Sequence, residues 1–344
     1  MKFFVSFLNL LLSFLPKTMF AAITVAGTGG LGDVAVRQVY SKEVLFQALP
    51  NLKFMQFAKQ KTDLNAAARG KGITFVRYAN LSGSGSLTEG TDMPIETMIG
   101  SEVTIPVGEK GNSIQVTELL LQTSLLDTLA DATRLLAGNY AVVLDKSFRD
   151  TLLTSTNIVF GRNKDGGAAP ASALVMNNGQ IFNTNVIKDA VEKLSLANAP
   201  KIAGEYYVCV ASPRQLRQIR DDANWINAQA YRGTGRNLYL GEVGMYEGVI
   251  FIETTQMPFW GSSTGAAGTF VSKFPGTKTG SVTDVYGAVM FGDNAFGYAE
   301  ALPVEIRDGG IQDVGRKHQI AWYSIFGTGI IEPNNVVAIY TAGV

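Results

Sequence analysis

Residues 124–154 read SLLDTLADATRLLAGNYAVVLDKSFRDTLLT, the longest uninterrupted helical pattern in the chain. One face of this stretch repeats at steps of three and four residues, as one side of an α-helix requires. That face consists of Leu125, Leu129, Ala132, Leu136, Tyr140, Val143 and Ser147. Ser124 and Asp127 form a capping-box-like start. At about 1.5 Å per residue the helix would be roughly 45 Å long, so we expect the rest of the chain to lie along it.

The composition indicates a globular protein that associates with itself. The 344 residues are enough for two domains or for one large domain. The formal net charge is zero and 17% of the residues are charged. A chain without a basic cluster gives no indication of sequence-specific nucleic-acid binding, and low surface charge favours self-association.

The chain has one cysteine and one histidine, which argues against most catalytic and metal sites built on these residues. Cys209 lies in an apolar run and is predicted to be a buried core residue without a disulfide partner, which fits a reducing compartment. His318 is predicted to be a structural or surface residue, since a metal site built on histidines needs more than one. The sequence therefore predicts no enzyme, no catalytic residue, no cofactor and no metal.

The N-terminus has the pattern of a secretory signal. Lys2 precedes an apolar run over residues 3–15, and Ala21 and Ala22 supply a small-residue end. The apolar run is short for a membrane span. Three interpretations remain open: a signal, an amphipathic arm, or an extension upstream of a true start at Met19. The first makes an exported surface protein one alternative function, and residues 1–18 are treated as a separate segment.

Residues 27–32 spell G-x-G-x-x-G between a strand-like and a helical stretch, as in a dinucleotide-binding βαβ unit. Such a unit needs an acidic residue about 20 positions further on, and residues 50–54 are PNLKF. No second alternating β-α unit follows. This favours a glycine hinge in an N-terminal arm, and it leaves a nucleotide-binding oxidoreductase as the second alternative.

The region before the long helix looks like an arm and an unsupported hairpin. Residues 33–49 have partial helical spacing that Pro50 ends. Residues 72–78 and 103–107 alternate as strands, and a glycine-serine tract lies between them. A two-stranded hairpin is marginally stable by itself in water, so we expect it to lie on a partner.

After the long helix, strands and short helices follow without regular alternation, which indicates the α+β class. We predict a helix over residues 186–194 capped by Thr184 or Asn185, and another that Ser212 caps before Pro213. The predicted strands are residues 206–210, 249–254, 286–291, 297–299, 304–306, 320–326 and 336–340. Residues 157–183 and 256–284 are predicted to be connections.

Several short motifs recur in one order in a family of known proteins. They are residues 40–42, 49–52, 87–90, 150–152, 198–200, 241–244, 248–249, 251–254 and 291–292. Through this ordered set the chain, from about Asp33 to its end, resembles the major capsid proteins of tailed double-stranded DNA phages. Within them it most resembles the group typified by coliphage N-four.

The resemblance implies the HK-97 capsid fold, with an N-terminal arm over residues 19–68 and an extended E-loop region over residues 69–116. It further implies a peripheral (P) domain over residues 117–183 and 300–344, with residues 124–154 as its spine helix. Residues 184–299 would form the axial (A) domain. The implied function is self-assembly into hexamers and pentamers of an icosahedral head that encloses double-stranded DNA.

The resemblance also implies partners and contacts. The expected partners are other copies of the chain, a portal, scaffolding or decoration proteins, and packaged DNA held without sequence preference; no membrane is involved. The chain would be assembled in the host cytoplasm and reside in the virion. The E-loop residues expected to contact neighbours are Leu87, Glu89, Asp92, Met93, Pro94 and Ile95. The expected arm contacts are Tyr40, Leu49, Phe54 and Phe57.

Overall fold

A computed structural model describes most of the chain beyond the N-terminal arm. The described residues are 52–62, 72–78, 81, 86, 89–90, 92–93, 95–123, 128–165, 167–232, 242–261 and 268–343. Residues 1–51, including the glycine motif at 27–32 together with Tyr40 and Leu49, lie outside this set, as do Leu87 and Pro94.

The described residues form strands that fall into three sheets. The strands are β1 (Lys59–Thr62), β2 (Gly72–Tyr78), β3 (Gly100–Pro106), β4 (Gly108–Thr117), β5 (Ile158–Phe160), β6 (Tyr207–Ala211), β7 (Glu242–Tyr246), β8 (Val249–Glu253), β9 (Phe259–Gly261), β10 (Asp284–Phe291), β11 (Phe296–Gln312), β12 (Lys317–Ile330) and β13 (Val336–Ala342). One sheet has the order β5-β13-β10-β6-β8-β7, with β9 on β10; a second has the order β1-β11-β12-β4; β2 and β3 form the third.

The helices are fewer, and one is much longer than the others. They are α1 (Glu118–Thr123), α2 (Thr128–Leu152), α3 (Thr184–Leu196), α4 (Pro213–Arg220), α5 (Ala223–Arg232) and α6 (Phe270–Lys273). The mixture of helices with both parallel and antiparallel strand pairs is the predicted α+β class.

The centre of the largest sheet is made of continuous apolar runs. Every residue of β6 and of β13 is buried. Such runs are typical of strands that are covered on both faces. Cys209 lies in β6 and is fully buried, as predicted, and burial raises the pKa of its thiol.

The long helix α2 ends at Leu152, two residues before the predicted end, and its buried face differs in part from the prediction. Residues 124–127, with the proposed Ser124 cap, lie outside the described residues. Ala132, Leu136 and Tyr140 are buried as predicted, but Leu129, Val143 and Ser147 are half-buried. The buried row continues instead through Leu144, Phe148 and Leu152. The buried row therefore follows a step of four residues from Ala132 to Leu152.

The chain divides into two compact units. Among the described residues, the first contains 111–123, 128–137 and 304–323, and the second contains 52–110, 138–303 and 324–343. The first unit has a small core of Val116, Ala132, Leu136, Ala137, Val304, Ile306, Ile320 and Trp322. The second holds the seven-stranded sheet and the β2–β3 hairpin.

Several predicted boundaries need correction. Asn183, rather than Thr184 or Asn185, caps α3, because its side chain accepts a hydrogen bond from the Val186 amide at 3.1 Å. Residues 297–299 and 304–306 belong to one strand, β11. The predicted connections contain β5, β9 and α6, and α5 and β7 were not predicted.

Candidate assembly surfaces

The two strands predicted to form an excursion before the long helix do pair. β2 and β3 run antiparallel over seven residue pairs, from Gly72 with Pro106 to Tyr78 with Gly100. Ile73 and Ile105, near the base of this hairpin, are buried, and Phe75 and Val107 pack against them. The hairpin is therefore anchored at its base, within the second unit.

Three glycines of β11 and β12 lie against the base of the hairpin, and we call Gly297, Gly327 and Gly329 the glycine seat. A Cβ atom built at Gly329 would lie 2.6 Å from Ile105 Cγ1, and one at Gly297 would lie 3.0 Å from Phe75 Cζ. A Cβ atom built at Gly327 would lie closer still to the Pro106 carbonyl oxygen. The backbone of β11 and β12 thus approaches the hairpin closely enough that only glycine fits, and Ile105 is left with 1% of its surface exposed.

An ion pair fixes the direction in which the hairpin leaves this seat. Arg77 Nη1 lies 2.5 Å from Glu332 Oε2, and Arg77 Nε donates to Ser101 Oγ at 2.6 Å. Both charged side chains are partly exposed, so the pair contributes little stability. Its effect is to hold Arg77, near the outer end of β2, against the segment that follows β12.

The outer part of the hairpin presents apolar side chains to solvent. These are Val76, Tyr78, Leu81, Met93, Ile95, Met98 and Ile99. Of the predicted E-loop contact residues, Glu89, Asp92, Met93 and Ile95 are all exposed, Ile95 to 97%. Several large apolar side chains exposed on one segment of a folded protein are typical of a site of interaction.

The end of the predicted N-terminal arm is fastened to α2 by one buried carboxylate. Asp145 Oδ1 accepts hydrogen bonds from the Lys53 amide at 3.0 Å and from the Phe54 amide at 3.3 Å. Burial raises the pKa of Asp145, and the two amide hydrogen bonds oppose that shift.

Phe54 and Phe57 differ in how much of their side chains is exposed to contact by a neighbouring subunit. Phe54 is fully buried in its own subunit, so the expectation that it contacts a neighbour does not hold in this conformation. It anchors the arm instead. Phe57 is half-buried and meets the edge of the Phe291 ring at a centroid distance of 5.6 Å.

A second exposed apolar surface lies in the first unit, and the sequence reading missed it. Ile311, at the end of β11, and Val314, in the turn between β11 and β12, are both largely exposed, and Val314 has a φ of 54°. Helix α1 is joined to this turn by a hydrogen bond from the Glu118 amide to the Arg316 carbonyl, and it exposes Leu119. The glycines at 309, 310 and 315 signalled a turn, but not its position at the end of two long strands.

The predicted surface residue His318 lies near the same turn, half-buried. Its Nε2 is 3.0 Å from Asp308 Oδ1, on the neighbouring strand β11. The contact links two strands and involves no further titratable partner among the described residues, which is consistent with the structural role predicted for His318.

The second unit also carries a groove with a basic lining, which we call the α4 groove. Its volume is about 910 Å³. One face of α4 and two loops before α3 line it, and its residues are Asn163, Lys164, Asp165, Asn178, Gly179, Ile181, Pro213, Arg214, Arg217, Gln218 and Asp221. The sequence did not predict this groove, because Lys164 is far in the chain from Arg214 and Arg217.

Two kinds of site are not found in the part of the chain that the structure describes. No described helix is long and apolar enough to cross a membrane. Likewise, no three or more described His, Cys, Asp or Glu side chains are grouped so that they could hold a metal ion.

Comparison with known proteins agrees with this geometry. The family described as "Phage capsid protein" matches residues 155–338, whereas no curated protein sequence matches the chain. The capsid of Ralstonia phage GP4 has 17% identity and a TM-score of 0.64, over 84% of this chain and 87% of that one.

Two further solved structures have the same fold. The cyanophage Pam1 capsid subunit has 15% identity and a TM-score of 0.60, over 86% of this chain and 92% of that one. The head protein of Helicobacter pylori bacteriophage KHP40 has 14% identity and a TM-score of 0.60, over 86% and 91%. These likenesses establish the HK-97-like capsid fold. Because the family matches more than half of its length, the chain belongs to the phage capsid protein family, in which it is a major capsid protein.

Proposed function

We propose that this major capsid protein assembles as pentamers and hexamers into an icosahedral head that encloses double-stranded DNA, and that it belongs to the N-four-type group. The observation that carries the proposal is the β2–β3 hairpin. Its base is seated on glycines of its own subunit, and its outer half exposes apolar side chains. A subunit built in this way needs another copy to cover that surface.

The proposed domains follow the implied HK-97 arrangement. Residues 19–68 are the N-terminal arm and residues 69–116 the E-loop region. Residues 117–183 and 300–344 are the P domain, with α2 as its spine, and residues 184–299 are the A domain, around which the capsomers form. The seven-stranded sheet draws strands from both proposed domains, since β5 and β13 come from the P segments and β6 to β10 from the A segment.

The E-loop is proposed to lie across the spine helix and P domain of the next copy. Met93 and Ile95, with Leu87 and Pro94, would supply the apolar contact. Glu89 and Asp92 would pair with basic residues. The exposure of Glu89, Asp92, Met93 and Ile95 in the single subunit supports this role.

The N-terminal arm is proposed to reach neighbours from its attachment at Asp145. Tyr40 and Leu49 would lie on the adjacent copy, and Phe57 would contribute its exposed side. Phe54 would stay in its own subunit as the anchor, since it is fully buried there.

The proposed partners beyond the chain itself are a portal, scaffolding or decoration proteins, and packaged DNA. DNA would be held without sequence preference by scattered lysines and arginines, because phosphate contacts do not depend on sequence. Assembly would take place in the host cytoplasm. The protein is proposed to act by conformation and interfaces, and not as an enzyme.

A loop replacement tests the proposal. Residues 82–97 are replaced by an Asn-Gly turn, which can still close the two strands. We expect a soluble subunit with unchanged circular dichroism, because the seat of the hairpin is intact. We also expect the variant to sediment as monomers or small capsomers. Complete particles of normal size would show that this loop is not an intersubunit element.

A further inference from the structure

The cations of the α4 groove lie outside the close ion pairs of the second unit. Elsewhere in the second unit Arg77, Arg162 and Arg220 pair with Glu332, Asp189 and Glu253. Lys164, Arg214 and Arg217 form no such ion pair with any described residue, although Arg214 lies over the Tyr286 ring at 5.9 Å. Lys164 lies near enough to Asp222 to lower the pKa of that carboxyl group, so Arg214 and Arg217 are the two cations most available to receive an anionic group.

The geometry of α4 holds two of these cations side by side. Arg214 and Arg217 are three positions apart on one helix, so they lie on the same face. The helix itself is fixed, because Ser212 and Gln215 form a reciprocal capping box and the Gln215 side chain also donates to Thr341 Oγ1 at 2.9 Å. Gln218 is likewise held, by its hydrogen bond to the Ala342 carbonyl at 3.0 Å. The groove is therefore preorganised on its helical side.

The outer part of the β2–β3 hairpin has the complementary chemistry. Residues 79–99 include Glu89, Asp92 and Glu96 and contain no lysine or arginine. Glu89 and Asp92 are exposed, and neither has an ion-pair partner among the described residues of its own chain. Beside them lie Met93 and Ile95, so the loop combines acidic and apolar side chains.

The lining of the groove favours such a loop over nucleic acid. Asp165 and Asp221 line it together with the cations, and Ile181 and Pro213 add apolar surface. Asp165 and Asp221 would repel the continuous row of phosphates by which duplex DNA is bound. A short loop segment has only two carboxylates, which can lie on the cations and away from Asp165 and Asp221, with its apolar side chains on Ile181 and Pro213.

We propose that the α4 groove of one subunit receives the acidic segment 89–93 of the loop from a second copy of this chain. The inference rests on the proposed function and extends it, since the loop that lies across the P domain of the neighbour would continue to Lys164 of that domain and to α4 of the A domain. Arginine can bind a carboxylate with two parallel hydrogen bonds, which makes Arg214 and Arg217 the determinants of register. The groove would thus select where the loop of the neighbour docks.

A charge exchange in the full-length chain tests the pairing. One variant carries Arg214→Glu and Arg217→Glu, a second carries Glu89→Lys and Asp92→Lys, and a third combines all four changes. We expect each pair alone to lower the yield of closed shells by at least about tenfold at physiological salt, because like charges would face each other. The combined variant should recover most of that loss.

Arg220→Glu is the matched control, because Arg220 lies on the same helix but faces Glu253 of its own subunit. It should assemble at nearly the wild-type yield. Circular dichroism of unassembled subunits verifies that each variant folds. Normal yield from the groove variant, or no recovery in the combined variant, would overturn the pairing.

Two outcomes separate this inference from the proposed function. If the groove variant forms normal shells that fail to retain DNA, the partner of the groove is nucleic acid and the proposed docking is wrong. If the groove variant assembles normally while replacement of residues 82–97 still blocks assembly, the loop keeps its intersubunit role and its receptor lies elsewhere.

Discussion

At the scale of single residues, Asp222 shows how one carboxylate joins separate parts of the fold. Its Oδ2 accepts hydrogen bonds from the Thr184 amide at 3.1 Å and the Thr184 hydroxyl at 2.8 Å, and its Oδ1 accepts from the Asn224 amide at 3.0 Å. The starts of α3 and α5 are thereby tied together. Burial alone would raise the pKa of Asp222, but these hydrogen bonds and the charge of Lys164 together outweigh it and lower the pKa below the ordinary 3.8.

Removal of this carboxylate should destabilise the subunit in a pH-dependent way. A carboxyl group with a lowered pKa stabilises the fold above its unfolded value, and this stability is lost as the pH falls through the lowered folded pKa. We expect Asp222→Ala to reduce the free energy of unfolding by about 1–3 kcal/mol at pH 7. The difference from wild type should shrink as the pH falls below 3.8.

Urea unfolding of unassembled subunits at a series of pH values measures this. Asp221→Ala is the control, since the Asp221 side chain has no hydrogen-bond or ion-pair partner among the described residues; it should change stability by less than about 0.5 kcal/mol. An Asp222→Ala effect that is equal at pH 7 and at pH 3 would contradict the assigned charge.

At the scale of elements, the glycine inside α2 has room for a side chain, whereas the glycines under the hairpin do not. Gly138 lies inside α2, and a Cβ built there meets no atom of the described chain within 4 Å. Glycine in a helix interior is less stable than alanine by about 0.5–1 kcal/mol. Gly329 and Gly327, by contrast, lie where a Cβ would meet Ile105 and Pro106.

Alanine substitutions at Gly138 and at Gly327 should therefore change the free energy of unfolding in opposite directions. We expect Gly138→Ala to raise the unfolding free energy of the subunit by about 0.5–1 kcal/mol. Gly327→Ala should lower it by about 1–3 kcal/mol, because the hairpin would be forced off its seat. Denaturant titration of both variants gives the comparison. Destabilisation by Gly138→Ala would mean that the helix needs glycine for a reason within the subunit.

The elements that the sequence predicted well are those whose pattern is local. Alternation in residues 72–78 predicted β2 to the residue, and the Ser212-Pro213 pair predicted the start of α4. Strand β11 was divided wrongly, because Glu300 and Pro303 interrupt the apolar pattern between residues 299 and 304. Pro303 is tolerated because it lies beyond residues 297–300, which pair with β1.

The candidate surfaces were predictable only in part, because folding brings together residues that are far apart in the sequence. The exposed loop could be read from its composition, which lacks an apolar face adequate for a core. The α4 groove could not, because Lys164 and Arg217 are far apart in the chain and come together only through the packing of α4 on the sheet. Phe54 was assigned outward because nothing in the sequence links it to Asp145.

At the scale of the whole molecule, the subunit is organised around surfaces that it leaves open. The hairpin, the β11–β12 turn and α1 all expose apolar side chains, while the central strands β6 and β13 are completely buried. A protein of low surface charge with such surfaces is suited to association with copies of itself. Because the chain belongs to the phage capsid protein family, the assembly that it forms is a capsid shell.

Electron cryomicroscopy of the particles formed by the full-length wild-type chain tests this account most directly. The account predicts closed icosahedral shells in the megadalton range, in which residues 79–99 of each copy lie across an adjacent copy. Monomers or small oligomers as the only species, or shells in which this loop folds back onto its own subunit, would contradict it.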